Sequence, residues 1–323
     1  MKKIIVNATG RLGNQFFQYS YAKKIQKATG GSITINFKEI EQKAELLPNQ
    51  DWKDSLKDFN TNYEKVSFNR LQLLSHLSFI QKILIVFHTL FIRTILKKDS
   101  LKNYDELNNF SKKYANYLYK RGLYVFPMMS VKYISSNHDK ILLMGKYEDP
   151  ESLDEIKDEL RLDFIPQAPI LEQNRLFYEK ISSTQSVCIT IRRGDYLSNK
   201  FKDDFFQCDE EYFSKGIKII KQKVTNPVFF FFSDDLEYAK KFAENYLEDS
   251  DEYYVENPDN PIWEKVRIMS KCKYFIISNS TFSWWVQFLG DYENKIVIGP
   301  RQWYPQKSTN KSNNLVQENW IKI

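Results

Sequence analysis

The sequence predicts an α/β protein in which two doubly wound parallel sheets face each other across a cleft. Three observations carry that prediction. A strand at residues 3–8 passes through a glycine turn into a helix and then a second strand. Four apolar strands alternate with helices after residue 166, and Pro166 and Pro169 interrupt the chain between these stretches. The strand–turn–helix–strand order builds α/β units. Nearly uninterrupted apolar strands indicate parallel sheets covered on both faces, and open sheets of this kind bind ligands beyond the carboxyl ends of their strands. A length of 323 residues fits two domains, here placed at 1–165 and 166–323 because proline disfavours helix continuation at the join.

In chain order, the strand 3–8 leads through Thr9-Gly10-Arg11-Leu12-Gly13-Asn14 into a helix from Gln15 to about Ala28. Gly30-Gly31 ends that helix, and Ile33-Thr34-Ile35-Asn36 alternates as a strand. Residues 40–135 have mostly helical period with weak boundaries. Ile141 to Met144 reads as a strand, and Pro150 to Leu160 as a helix. The second half follows as helix 170–182, strand 186–191, helix 209–223, strand Val228 to Phe232, and helices 235–247 and 262–271. The strand Tyr274 to Ser278, helix 282–289 and strand 296–298 complete it.

Composition excludes several classes. The net charge is +6 and the lysines are dispersed, which suits an anionic ligand better than nucleic acid. Cys188, Cys208 and Cys272 have no metal-like spacing and leave an odd thiol, which points to a reducing, cytoplasmic setting. His76, His88 and His138 lie far apart, so no structural zinc site is expected. The N-terminus has only a three-residue apolar run before Asn7, too short for a signal peptide. Residues 79–96 are almost wholly apolar but carry Lys82, His88 and Arg93. They read as a buried helix of the first domain, as an amphipathic helix on the inner membrane face, or, least favoured at about 18 residues, as a membrane span.

Four segments carry chemistry. Ile189-Thr190-Ile191-Arg192-Arg193-Gly194-Asp195-Tyr196 is a strand that exits in two arginines, whose rigid donor forks match phosphate oxygens. A solvated loop is the alternative. The opening turn Thr9–Gln15 can present backbone N–H groups to an anion. A dinucleotide fingerprint fits it poorly, since its third small residue falls on Phe16 and Asn36 stands where an acid is needed. Phe230-Phe231-Phe232-Ser233-Asp234-Asp235 ends a strand in two carboxylates that could read a guanine or a ribose, or cap a helix. Ser278-Asn279-Ser280-Thr281-Phe282-Ser283-Trp284-Trp285 offers hydroxyls and helix amides for a phosphate, with the tryptophans packing the helix on its sheet. Asp249-Ser250-Asp251 has metal-site spacing but reads as a solvated acidic loop.

Together these segments resemble the bacterial α-1,2-fucosyltransferases of glycosyltransferase family eleven, within the α-1,2/α-1,6/O-fucosyltransferase superfamily. Gly10-Arg11-Leu12-Gly13-Asn14-Gln15-Phe16-Phe17-Gln18-Tyr19 is similar to that family's N-terminal signature. Arg192-Arg193-Gly194-Asp195-Tyr196, Phe232-Ser233-Asp234-Asp235 and Asn279-Ser280-Thr281-Phe282-Ser283-Trp284-Trp285 are similar to its three donor motifs. The resemblance implies an inverting, metal-independent transferase of the GT-B type, with two Rossmann-like domains and GDP-fucose as donor. It implies that Arg192 or Arg193 neutralises the departing β-phosphate. Asp234 or Asp235 contacts the guanosine, Ser280, Thr281 and Ser283 line the diphosphate, Asn14 reaches the same phosphates from the other domain, and Gly13, Gln15 and Asn279 complete the nucleotide-sugar site. Acceptor recognition is expected to fall to the first domain, with a glycan, lipid-linked in this expectation, as the acceptor. Asp195 is the candidate base by position; its alternatives are to orient an arginine or cap the turn. One departure is plain. The family motif places a histidine where this chain has Thr190, so any role of that imidazole is absent. A different nucleotide-sugar donor, or a glycan-binding module without catalysis, are the alternative readings.

Overall fold

A computed structural model describes residues 1–48, 50–94, 114–125, 135–194, 208–303 and 315–323. The chain divides into two compact units, residues 1–163 and the described residues from Phe164 onward. Each is α/β with one wholly parallel sheet, so the expected fold class is observed.

In the first unit, β1 (Lys3–Asn7) lies between β2 (Ser32–Asn36) and β5 (Lys140–Leu143), with β3 (Glu64–Val66) and β4 (Leu123–Tyr124) at the edges. β1 and β2 run in register from Lys3 beside Ser32 to Asn7 beside Asn36. Helix α1 (Leu12–Thr29) follows β1, buries Phe16, Phe17, Tyr19, Tyr21 and Ile25, and ends at Gly30. Its entry requires the glycine at position 10. Gly10 has φ of 79°, and a Cβ there would lie 2.1 Å from the side-chain amide of Asn14. Gln18 stitches the exits of β1 and β5, accepting from the Thr9 N–H at 3.1 Å and donating to the Gly145 carbonyl at 3.0 Å. Helices α2 (Lys38–Leu46), α3 (Arg70–Ser75) and α4 (Phe79–Thr94) complete this part.

Helix α4 is neither fully buried nor fully solvated. Gln81, Ile85 and His88 are buried, with the Gln81 amide donating to the carbonyls of Arg121 (2.7 Å) and Lys140 (2.9 Å). The opposite face leaves Phe79, Ile80, Ile83, Val86, Phe87 and Leu90 exposed. Among the described residues no helix is long and apolar enough to cross a membrane.

The expected helix at 150–160 is a 3-10 segment, Pro150–Ile156, followed by α5 (Lys157–Asp163). Pro150 offers no N–H, and the Ser152 hydroxyl donates to the Asp149 carbonyl, tightening this turn.

The second sheet has the order β11-β10-β9-β6-β7-β8, formed by β6 (Gln185–Ile191), β7 (Pro227–Ser233), β8 (Glu252–Val255), β9 (Tyr274–Ile277), β10 (Val297–Gly299) and β11 (Ile321–Lys322). The chain winds outward from β6 to β7 and β8, then returns to β9 on the other side of β6. The strand order therefore reverses between β6 and β9, the position where open sheets of this type leave a crevice. β7 buries six consecutive residues, as a strand covered on both faces must. On one side of this sheet Val187, Ile189, Phe229, Phe231 and Ile276 pack with Phe213, Ile217, Ile220 and Phe242. The helices are α6 (Arg175–Ser183), α7 (Glu210–Lys223), α8 (Leu236–Tyr246), α9 (Ile262–Ser270) and α10 (Thr281–Leu289). The helix expected at 170–182 begins only at Arg175, after a 3-10 turn at Glu172–Asn174. There the buried Asn174 amide donates to Asn260 (2.7 Å) and Glu264 (3.1 Å), fixing the chain before the helix. β8 and β11 are additions to the expected four strands.

Candidate active site at the strand exits of the second unit

The exits of β6, β7 and β9 are tied into one frame by short polar side chains. Thr190, buried near the end of β6, accepts a 3.0 Å hydrogen bond at Oγ1 from the Ser278 N–H. The Ser278 hydroxyl lies 3.2 Å from that of Ser283 on α10. On the other side of β6, the Ser233 hydroxyl donates to the Ile191 carbonyl (2.9 Å) and accepts from the Asp235 N–H (2.9 Å). Thr190 thus holds β9 to β6 at the reversal point, and Ser233 holds β7 to β6.

The turn after β6 is organised by Asp234. Its Oδ1 accepts from the Arg193 N–H at 2.9 Å. Oδ2 accepts from the Gly194 N–H at 3.0 Å and pairs with Arg192 Nη1 at 2.9 Å. The glycine is required by this approach, because a Cβ at 194 would stand 2.6 Å from Oδ2. Asp235 caps α8 by accepting from the Tyr238 N–H at 3.1 Å. Its Oδ2 sits 3.3 Å from Arg193 Nε, a charge pairing whose geometry makes no hydrogen bond. The Arg193 guanidinium stacks 3.5 Å above the Tyr238 ring. Burial, then the hydrogen bond to Glu210, push the Tyr238 phenol up to about 12, so the ring stays neutral under the cation. Both arginines are therefore held in place by carboxylates of the neighbouring strand exit.

The hydroxyl-rich turn divides into two sets. Asn279 and Ser283 are buried. The Asn279 amide donates to the Trp303 carbonyl at 3.0 Å, and Ser283 meets Ser278. Ser280 and Thr281 are half-buried at the start of α10, where Ser280 is the N-cap and makes no side-chain capping bond. The helix begins four residues after β9 ends, so its first-turn amides and the positive end of its dipole lie at the β9 exit. Trp284 and Trp285 are fully buried and pack the helix, with Trp284 Nε1 donating to the Leu315 carbonyl at 3.1 Å.

In the first unit, Gly13 is buried in α1 and Asn14 is half-buried over the Gly10 turn. Gln15 is buried and fully occupied. Its amide nitrogen donates to the carbonyls of Gly10 and Lys53, and its oxygen accepts from the Ser55 N–H at 3.0 Å. Asp195, the candidate base, lies outside the described residues. Among the described residues no group of three or more His, Cys, Asp or Glu could hold a metal ion. Asp251 is bound by Lys221 at 2.9 Å and by the Glu248 N–H. Cys208 lies near Asn279, and burial pushes its thiol up to about 12, which disqualifies it as a nucleophile at neutral pH.

Sequence reasoning missed Glu256 and Lys265. Glu256 follows β8 and is buried; its Oε1 accepts from the Ser233 N–H at 3.2 Å and from Lys265 at 2.9 Å. It therefore supports the β7 exit from below. No local signal marks it, because a glutamate nine residues before a lysine has no spacing that reveals a pair. Tyr238 was findable: it lies three residues after the capping Asp235, on the first turn of α8.

The description Glycosyl transferase family 11 matches residues 3–323. An alpha-1,2-colitosyltransferase of Escherichia coli is 28% identical over 327 residues, covering 100% of this chain and 99% of that protein. The O-antigen biosynthesis glycosyltransferase WbnK of Escherichia coli is 28% identical over 338 residues, covering 98% of each. The crystal structure of fucosyltransferase NodZ from Bradyrhizobium is 12% identical, with a TM-score of 0.48 over 89% of this chain and 92% of that one.

Two outcomes follow from the frame. Thr190→Val keeps the shape but strands the buried Ser278 N–H, and should lower the unfolding free energy by about 1–3 kcal/mol in urea titrations, whereas Thr190→Ser should restore most of it. No difference between Val and wild type would remove Thr190 from the frame. Burial is the main cause that raises the Glu256 carboxyl above its ordinary value of 4.5, against the lowering effect of Lys265. Between 4.5 and the raised folded value, the folded chain holds a proton that the unfolded chain has released. Stability from this group is thus fully present below 4.5 and is lost as pH rises through that window. Glu256→Gln should flatten this part of the curve of urea midpoint against pH; an unchanged slope would contradict the assignment.

Proposed function

The chain belongs to glycosyl transferase family 11 and is a glycosyltransferase; from that premise we propose that it moves fucose from GDP-fucose to a hydroxyl of a surface-polysaccharide glycan, with inversion. The observation that carries this reading is the placement of Arg192 and Arg193 on the β6 exit, next to the α10 N-terminus on the β9 exit, at the reversal of strand order. Breaking a sugar–phosphate bond develops negative charge on the β-phosphate. Guanidinium groups and helix amides already fixed at that position stabilise the charge without reorganising. No metal is needed for that step. In this reading Ser280 and Thr281 are the groups that meet the diphosphate, while Asn279 and Ser283 support them from the core. Asp235 contacts the guanosine in this reading through Oδ2, the oxygen that does not cap α8 and that lies beside Arg193, while both oxygens of Asp234 are taken up by the arginine turn. Gly13, Asn14 and Gln15 contribute through the shape of the Gly10 turn, and the first unit supplies the acceptor side. Asp195 takes the acceptor's proton. A single displacement inverts the anomeric carbon with no covalent enzyme intermediate. The setting is cytoplasmic, with peripheral contact of residues 79–96 with the inner membrane face, which suits a lipid-linked acceptor.

Thr190 favours a second reading of the sugar. A threonine bound to the Ser278 N–H offers the donor no imidazole, and a family relative is named as a colitosyltransferase. Colitose in place of fucose leaves the diphosphate chemistry unchanged.

Isothermal calorimetry with GDP, with and without EDTA, tests the shared claim. Binding that survives chelation is expected, and Arg193→Ala should lower kcat for donor turnover by about 10²-fold or more. Absence of GDP binding would overturn the reading, and binding lost on chelation would overturn its metal independence. Nucleotide release from GDP-fucose, GDP-colitose, UDP-glucose and TDP-rhamnose then separates the sugars.

A further inference from the structure

Helix α4 presents an apolar surface whose chemistry identifies what covers it. At 100° per residue, Phe79, Ile83, Val86 and Leu90 fall within one narrow arc, and Ile80 and Phe87 extend that arc on one side. All six are exposed, Phe79 by 75% and Phe87 by 65%. The helix is not loosely attached, because Gln81, Ile85 and His88 anchor the opposite face, and the Gln81 amide bridges two backbone carbonyls. A rigid helix that spends its inward face on the unit and leaves large apolar side chains outward is a surface built for contact.

Charge decides the partner. From Lys65 to Lys98 the sequence contains no aspartate or glutamate and six lysines and arginines, with Lys82 at the edge of the exposed arc. α4 itself carries Lys82 and Arg93 and no acid, so the same helix of a second copy would offer these cations no carboxylate, which does not favour self-association. A protein partner's interface would be expected to mix both signs on its rim. A surface that is apolar within and negative at its face satisfies the stripe and the cations together.

We propose that α4 lies in the plane of an anionic lipid surface, with Phe79, Ile80, Ile83, Val86, Phe87 and Leu90 inserted among the acyl chains and Lys82 at headgroup level. This deepens the membrane contact of the proposed function and is independent of the donor chemistry. A face of this kind would keep the enzyme beside acceptors that cannot leave the membrane.

Co-sedimentation of the full-length protein with vesicles tests the assignment. Binding to phosphatidylcholine vesicles containing phosphatidylglycerol is expected, with weak or absent binding to phosphatidylcholine alone. It should weaken when salt is raised from about 0.1 M to about 0.5 M, since exposed charges are screened over roughly 4 Å at the higher value. Ile83→Glu/Phe87→Glu should reduce partition by about tenfold or more, because two apolar insertions are lost. The variant's affinity for GDP should equal that of wild type, so that failure of lipid binding and failure of the donor reading are told apart. Equal binding to neutral and anionic vesicles, no binding to either, or a dimer in sedimentation equilibrium that the double variant dissolves would each overturn the proposal.

Discussion

The site depends on one carboxylate. Asp234 accepts from two consecutive backbone N–H groups and pairs with the Arg192 guanidinium, so the turn after β6 is folded around it. Hydrogen bonds to a charged group are worth about 1.5–3 kcal/mol each, and here they act on a segment that has left its strand and has no ladder to hold it. Without Asp234, the two arginines would sit on a turn with no fixed geometry. Fixed geometry is what turns cations into a site: guanidinium groups that must first be ordered stabilise a leaving group less than groups already in place.

The arrangement also sets a balance of charge. Arg192 faces Asp234, and Arg193 lies beside Asp235 and over Tyr238. Two cations matched by two carboxylates can sit at the strand exits without a large desolvation cost. In the proposed reading an incoming diphosphate would meet donors whose orientation is set but whose charge is partly compensated. The uncompensated contribution comes from the α10 N-terminus, whose Ser280 cap makes no side-chain bond. In this account, arginine turn and helix terminus are complementary parts of one anion site at the reversal of strand order.

Much of this was legible in the sequence. Apolar runs ending in Arg-Arg-Gly, Ser-Asp-Asp and Ser-Asn-Ser-Thr identified three strand exits, and the helices that follow them begin within one residue of the expected positions. The division of labour inside those motifs was not legible. Asp234 and Asp235 read as alternatives for one role, yet one folds the arginine turn and the other caps α8. Asn279 and Ser283 read as ligand groups, yet their partners are Trp303 and Ser278, far away in sequence or hidden by folding. Thr190 stood out as a missing histidine, whereas its hydroxyl braces β6 to β9. The edge strand β8, Glu252-Tyr253-Tyr254-Val255, carries charge and half-buried tyrosines, so it lacks the apolar run of a central strand. β3, β4 and β11 span only two or three residues, too short for any periodicity to register. Helix α4 was apolar on nearly every side, and only its packing distinguished the anchored face from the exposed one.

The most direct test of the central claim is a crystal structure of the protein with GDP. The account predicts the β-phosphate at the β6–β9 strand exits, within hydrogen-bond distance of an Arg192 or Arg193 guanidinium and of an N–H in the first turn of α10. A diphosphate bound elsewhere, or one at these exits that touches neither arginine, would contradict it.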